Sequence, residues 1–379
     1  MNILVTDVDM KHSLGIVRSL GKIGIKPYLL SSSKNSICSY SKYANQEIII
    51  NKNFDKEELV QITLEYKIEL IILVGTNSFM KIVPWKNYLK ENGINIITVD
   101  EEKQNIAFSK KDTYSLASKI NIPIAKTFYP QTFNELNILK TQITFPCVIK
   151  GLYEVGGNIV DYAYTENELI LKYNNLCNKY NIEEKDGLPM LQEYITGSGC
   201  AFFAVYNNGK CGLTFQHKRI REYPISGGFS VCAKSYKNNK VEEYGKKLLD
   251  KLNWHGVAMV EFKLNDKGIP ILMEINPKFW GSTDLALEAG VNFPKALIDI
   301  HLNQEIKYSN NYKIPFKYHW PFQGDILHGI ENPKAMPSII LDMLNPKVRS
   351  NIWISDIMPS IKIITRSLKK FISQDYKEK

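Results

Sequence analysis

The sequence predicts an α/β protein: an N-terminal doubly wound parallel sheet, then a larger region in which strands return on themselves as hairpins. Three observations carry this. Short apolar strands alternate with helices over the first hundred residues, the pattern of a parallel sheet with crossover helices. Beyond about residue 145 the strands pair in sequence, with turn residues between them. The chain, at 379 residues, is too long for one compact domain and predicts several units.

Taken in order, ILVTDV is a short apolar strand. HSLGIVRSLGKIG follows as a helix with Leu14, Val17, Leu20 and Ile23 as its apolar stripe. KPYLLS and QEIIIN are further strands. FDKEELVQITLEYKI is a helix started by Asp55. ELIILVG is a buried strand, and INIITV closes the series. Ligands of such sheets bind at the carboxyl ends of the strands. The segment there, TDVDMKHS, lacks the G-x-G-x-x-G turn that lets a backbone approach a pyrophosphate, which argues against a dinucleotide site. A linker helix, DEEKQNIAFSKKDTYSLASKI, leads to a strand pair, FPCVIKGLYEVGGNIVDYAY. A helix over Glu166 to Tyr180 and the strand LPMLQEYI come next. CAFFAVYNNGKCGLTFQHKRI reads as a hairpin turning at Asn207-Asn208-Gly209. After the helix VEEYGKKLLDKL comes a second hairpin, VAMVEFKLNDKGIPILMEIN. The tail beyond about residue 330 contains a basic amphipathic helix, PSIKIITRSLKKFI, expected to dock on the body, with membrane-surface contact as the minor reading.

Composition narrows the function classes. No run approaches the roughly 18 apolar residues of a membrane span, and MNILVTDVDM begins as a strand where a signal peptide would be basic and then apolar. A cytoplasmic protein is expected. Cys38, Cys147, Cys177, Cys200, Cys211 and Cys232 are scattered without a C-x-x-C pair, against a zinc site or a disulfide framework. The net charge of +9 is nearly all lysine interleaved with acids, which suits anionic small molecules better than nucleic acid.

The strongest chemical signal is the second hairpin, where VEFK and MEINPKFWGS place Glu261, Glu274 and Asn276 on adjacent strands. With Leu264 paired to Ile269, Glu261 lies on the face of Glu274 and Asn276, across a diagonal of about 7–8 Å. Oxygen donors of this kind suit Mg²⁺. The bland reading is two solvent-facing glutamates. It weakens for Glu274-Ile275-Asn276-Pro277, since Asn and Pro are poor strand formers directly after ILMEI. QHKRIREYPISGGFS holds a second concentration of function. Only five arginines occur in the chain, and Arg219 and Arg221 sit here beside His217. In a lysine-rich background that choice points to bidentate contacts with a carboxylate or phosphate. An exposed strand end is the alternative.

The order FPCVIK, LQEYITG, VEFK, MEINPKFWGS resembles the ATP-grasp superfamily, and is most similar to the carboxylate–amine ligases related to carbamoyl phosphate synthase and biotin carboxylase. The resemblance covers roughly residues 1 to 310. It implies a sheet domain over 1–108, an ATP-grasp domain of two α+β subdomains clamping ATP over 109–310 (flap subdomain about 126–190), and a C-terminal extension over 311–379. By resemblance, Lys110 and Lys150 contact ATP phosphates. The loop with Gly156 and Gly157 is the flap over them. The backbone of Glu193, Tyr194 and Ile195 reads adenine, and Glu261, Glu274 and Asn276 hold Mg²⁺, with Mn²⁺ as a substitute. His217, Arg219 and Arg221 belong to the substrate pocket, where the arginines hold the acceptor carboxylate or the tetrahedral intermediate, and Lys278 joins Lys110 and Lys150 in offsetting the negative charge. Lys278 stands where the family usually has arginine, keeping the charge without the bidentate fork. The acid that often holds the ribose is not evident in TGSGCAFF.

The implied reaction is ATP-dependent joining of a carboxylate and an amine through an acyl phosphate, one partner being an amino acid. The partners are small molecules, without nucleic acid; a homodimer is compatible with the pattern. A kinase acting on a hydroxyl, or a non-catalytic ATP-binding regulator, is the alternative.

Overall fold

The computed structural model describes residues 1–152, 159–225 and 227–373. The expected flap, with Gly156 and Gly157, lies outside the described residues. The chain groups into two compact units that are each discontinuous in sequence: 1–101 with 200–259 and 276–379, and 102–199 with 260–275.

In the first unit, β1 (Asn2–Val5), β2 (Tyr28–Ser31), β3 (Glu47–Ile49), β4 (Ile68–Ile72) and β5 (Asn95–Ile96) form the expected sheet, all parallel, in the order β3-β2-β1-β4-β5. Helix Ser13–Lys22 buries Leu14, Val17 and Leu20, whereas Ile23, already past the last turn, is 40% exposed. Asp55 starts helix Lys56–Glu65 through a full capping box with Glu58. The carboxyl ends of β1 and β4 are tied together by Asp7. Held at φ 52°, it accepts from Gly75 N (2.8 Å) and from the hydroxyl of Ser78. A Cβ at Gly75 would lie 2.7 Å from the Asp7 carboxyl carbon, so only glycine permits that approach. This knot sets Lys11 and His12 at the carboxyl-end edge of the sheet.

In the second unit a four-stranded sheet contains β6 (Thr127–Phe128), β7 (Cys147–Lys150), β8 (Val160–Ala163) and β9 (Met190–Glu193), antiparallel, in the order β6-β9-β7-β8. Helix Glu166–Tyr180 packs Leu169, Tyr173 and Leu176 into its core beside Ile149 and Leu191. The expected single linker helix is two. It breaks at Ser109, whose extended backbone and side-chain bond from Asp112 N cap a fresh helix, Lys110–Lys119.

A seven-stranded sheet comprises β10 (Gly199–Asn207), β11 (Lys210–Tyr223), β12 (Phe229–Ser235), β13 (Gly256–Leu264), β14 (Pro270–Asn276), β15 (Lys317–His319) and β16 (Arg349–Ser350), ordered β14-β13-β10-β11-β12-β15-β16. The β10–β11 hairpin turns where expected, with Asn208 and Gly209 both at positive φ (46° and 79°). The β13–β14 turn departs from expectation. Asn265 N donates to Ile269 O (3.0 Å) and Gly268 takes φ 73°, so Asn265, rather than Leu264, faces Ile269. A one-residue shift flips faces. The pairing expected at the turn, Leu264 with Ile269, is therefore not the one formed. No described helix is long and apolar enough to cross a membrane.

Candidate active site

In the second unit, Ser109 makes Lys110 the first residue of its helix. Its backbone N donates to Leu152 O (3.0 Å) and its ammonium lies 4.0 Å from Glu274 Oε2. Lys150 ends β7, and its Nζ donates to Gln192 Oε1 on the neighbouring β9 (2.7 Å). Burial lowers the Lys150 pKa to about 8, with Lys110 adding to the fall, while Glu274 and Glu261 oppose it. Both carboxylates thus act on one ammonium. Tyr114 responds to the same pair. Burial first, then Glu274 and Glu261, raise its phenol pKa, and its hydroxyl donates to Met273 O (2.6 Å). Proximity to common partners associates the two glutamates.

Glu193 ends β9 exposed, its Oε2 accepting from Lys126 N at 3.3 Å. Just beyond, the Ile195 carbonyl accepts from Lys263 Nζ (3.2 Å), and that ammonium also lies over the Tyr194 ring, 5.0 Å from its centre. A cavity of about 530 Å³ opens between helix Lys110–Lys119 and β6, lined among others by Lys111, Tyr114, Lys126, Tyr129 and Glu193. It includes neither Lys110 nor Lys150. Among the described residues no three His, Cys, Asp or Glu side chains converge on a metal position. Two carboxylates and an amide oxygen are still a donor set suited to Mg²⁺, which keeps water and phosphate oxygens as its other ligands.

In the first unit, Asn276 ends β14, buried, and accepts from Lys278 Nζ at 3.4 Å. His217, Arg219 and Arg221 lie on β11, but they are not equivalent. Arg221 is buried, with Nε and Nη2 donating to the two oxygens of Asp325 (2.6 and 2.7 Å) and Nη2 also to Asp342 (2.7 Å). Lys317 and His319 complete that network. Burial works against the Arg221 charge, yet the Asp325 bonds more than offset it and raise its pKa. Arg221 is a structural guanidinium, so the expectation that it holds a substrate carboxylate is corrected. Arg219 donates to Gly228 O at 3.3 Å and lies 3.6 Å from Glu222.

His217 is 2% exposed and meets the Phe203 ring edge-on at 4.8 Å. Among the described residues neither of its ring nitrogens, nor the indole N–H of buried Trp280, meets a hydrogen-bond partner. Burial, then Arg219 and Lys11, hold the imidazole neutral. Lys11, which sequence reasoning missed, donates to Ser230 O (2.7 Å) between the rings of Phe229 and Trp320, 4.7 and 4.3 Å from their centres. Burial lowers its pKa to about 7 against the pull of Asp284. Asp284 accepts from Trp320 Nε1 at 3.0 Å, and burial raises its carboxyl to about 6. The available signal for Lys11 was its place just past β1, at the carboxyl end of a parallel sheet.

Residues 190–321 match the family model described as ATP-grasp in the biosynthetic pathway with Ter operon. The carbamoyl phosphate synthase large chain of Thermoanaerobacter sp. is 24% identical over 230 residues, 58% of this chain and 21% of that one. The C-terminal section of the same enzyme's large chain from Methanocaldococcus jannaschii is 23% identical over 283 residues, covering 70% and 43%. The chain thus spans about a fifth of the large chain of Thermoanaerobacter sp. and less than half of the archaeal section. Among solved structures, biotin carboxylase from Campylobacter jejuni in complex with β-γ-ATP aligns with a TM-score of 0.70 at 14% identity, over 83% of this chain and 74% of that one. The biotin carboxylase domain of Hydrogenobacter thermophilus 2-oxoglutarate carboxylase, bound to MgADP, ADP and bicarbonate, aligns at 0.67 and 18%, over 81% and 71%. N5-carboxyaminoimidazole synthetase from Staphylococcus aureus aligns at 0.65 and 15%, over 82% and 79%. A parallel-sheet region followed by antiparallel sheets on this plan is the ATP-grasp architecture. Residues 190–321 thus match an ATP-grasp family model, and the fold of the chain is that of the ATP-grasp structures.

Proposed function

We propose that this protein is an ADP-forming ligase that joins a carboxylate to an amine through an acyl phosphate. The observation that carries the reading is the second unit's grouping of Lys110, Lys150, Glu261 and Glu274, two ammonium groups and two carboxylates interacting in one place. Lys110 and Lys150 bind the ATP phosphates, and the backbone at Glu193, Tyr194 and Ile195 binds adenine. Glu261, Glu274 and Asn276 hold Mg²⁺, which when bound neutralises phosphate charge. The flap with Gly156 and Gly157 covers the nucleotide. The stretches 1–108, 109–310 and 311–379 are the sheet domain, the ATP-grasp domain that carries the chemistry, and a C-terminal extension.

The reacting carboxylate lies with the cationic groups of the first unit, Lys11, Arg219 and Lys278, beside His217 and the indole N–H of Trp280. Cationic side chains gathered around a neutral imidazole favour an anion. A carboxylate oxygen attacks the γ-phosphorus as the bond to ADP breaks. The amine nitrogen then attacks the acyl carbon, phosphate departs with the bridging oxygen, and the nitrogen gives up a proton. The chemistry is mainly positioning and charge neutralisation, which is why no side-chain nucleophile is required. Lys11, with its lowered pKa, is suited to take the amine's proton.

The test is ADP and phosphate release from Mg-ATP against amino acids, singly and in pairs, with hydroxylamine present. Substrate-dependent release with a hydroxamate product is the expected result. ADP release with a phosphorylated hydroxyl and no hydroxamate would replace the ligase by a kinase. Nucleotide binding without turnover on any acceptor would indicate a regulator.

A further inference from the structure

Helix Ile357–Ile372 is turned the wrong way round for a simple docked helix. At 3.6 residues per turn, Ile357, Met358, Ile361, Ile364, Leu368 and Ile372 share one broad face. A docked amphipathic helix puts that face inward. Here the buried side is the small one, Pro359, Ser360 and Ile363, while Met358 is 51%, Leu368 52% and Ile372 80% exposed. The orientation is fixed by polar bonds on the flank. Lys362 Nζ reaches the Tyr40 hydroxyl (3.0 Å), and Arg366 reaches Asp9 Oδ1 (2.6 Å) and Asn35 O (2.7 Å). Helix Met336–Leu344 repeats the pattern, burying Ile339 and Asp342 and leaving Leu341 and Leu344 66% and 75% exposed.

The charge beside the apolar face identifies what covers it. Helix Ile357–Ile372 contains Lys362, Arg366, Lys369 and Lys370 and no acidic residue. A second copy pairing through this face would bring lysine against lysine. The apolar sector is also wider than the two positions per heptad of a coiled-coil seam, and no acid is available to select a partner helix. Broad apolar face and basic edge together match an anionic bilayer surface. We propose that the C-terminal extension seats this protein on anionic membrane surfaces, with Ile361, Leu368 and Ile372 entering the headgroup–acyl boundary and Lys369 and Lys370 meeting lipid charge. The inference is independent of the ligase reading.

The experiment is co-sedimentation of the full chain with vesicles of phosphatidylcholine alone or with about one third phosphatidylglycerol. Wild type should bind the anionic vesicles at least about tenfold more strongly than the neutral ones. Ile361→Ser with Leu368→Ser, which leaves the charge unchanged, should lower that binding about tenfold or more at unchanged melting temperature. Lys247→Glu with Lys251→Glu, exposed on helix Asn239–Lys251, removes equal charge elsewhere and should leave most of it. Should the serine variant misfold, Lys369→Glu with Lys370→Glu serves instead and should lose the preference for phosphatidylglycerol. The proposal is overturned if wild type stays in the supernatant. It is equally overturned if the serine variant binds as well as wild type, or if wild type is a stable dimer in solution that the serine variant splits.

Discussion

Two clusters of charge in this molecule use the same residue types and differ in how completely they are satisfied. Around Arg221, every partner is in place: Asp325 takes two bonds, Asp342 one, and Lys317 and His319 fill the remaining positions. Around Lys150 the balance is loose. Its ammonium has one close neutral partner, Gln192, and burial has lowered its pKa to about 8. A closed network specifies structure; an ammonium held near its titration point is ready to receive the charge of a ligand.

The comparison breaks most sharply at Glu274. Glu274→Gln should cut turnover about 10³-fold or more while the melting temperature moves little, since the side chain is partly exposed. Turnover near wild type would remove Glu274 from the chemistry. Arg221→Ala should do the reverse. Removing one partner of a buried network strands Asp325 and should cost about 3–5 kcal/mol in urea unfolding; whatever protein remains folded should bind ATP normally.

Lys150→Met sharpens the other side. It should weaken ATP binding about 10–100-fold at pH 7, roughly 1.4 kcal/mol for each factor of ten. In wild type, kcat/KM for ATP should fall as pH rises past about 8 and the ammonium loses its proton. That limb should be missing from the variant. The smallest effect is expected at Asp284. Burial raises its carboxyl from 3.8 to about 6, despite the bond from Trp320. Because the folded value lies above the unfolded one, the stability it gives is full below about pH 4 and is lost as pH rises through 6. Asp284→Asn keeps the oxygen that accepts from Trp320, so its stability relative to wild type should improve between pH 4 and 7. A constant difference over that range would show that the carboxyl does not ionise there.

Local pattern made much of this legible. The five parallel strands, the Asp55 cap, the Asn208-Gly209 turn and the order of the later strands all rest on residues close in sequence. What escaped was set by distance. Arg221 was a sound candidate until Asp325 and Asp342, more than a hundred residues on, met it in the fold. Lys11 and Asp284 are unremarkable alone and acquire perturbed chemistry only through shared aromatic surroundings. The hairpin error was smaller and instructive. A single glycine in a left-handed turn at 268 shifts the pairing by one residue, and apolar alternation alone cannot see that.

Arg18 leaves a consequence for how the chain is made. Buried in the first helix, its guanidinium donates to Asp356 and the Asn351 carbonyl and lies over the Trp353 ring, and the same Asp356 carboxylate receives Ser41 Oγ and Lys42 N. Asn351 and Asp356 lie 333 and 338 residues downstream. At roughly 5–20 residues per second, a ribosome delivers them about 20–70 s after Arg18 itself. Until then the first helix carries a guanidinium without those partners, and this part of the molecule closes only once residues 351–356 have emerged.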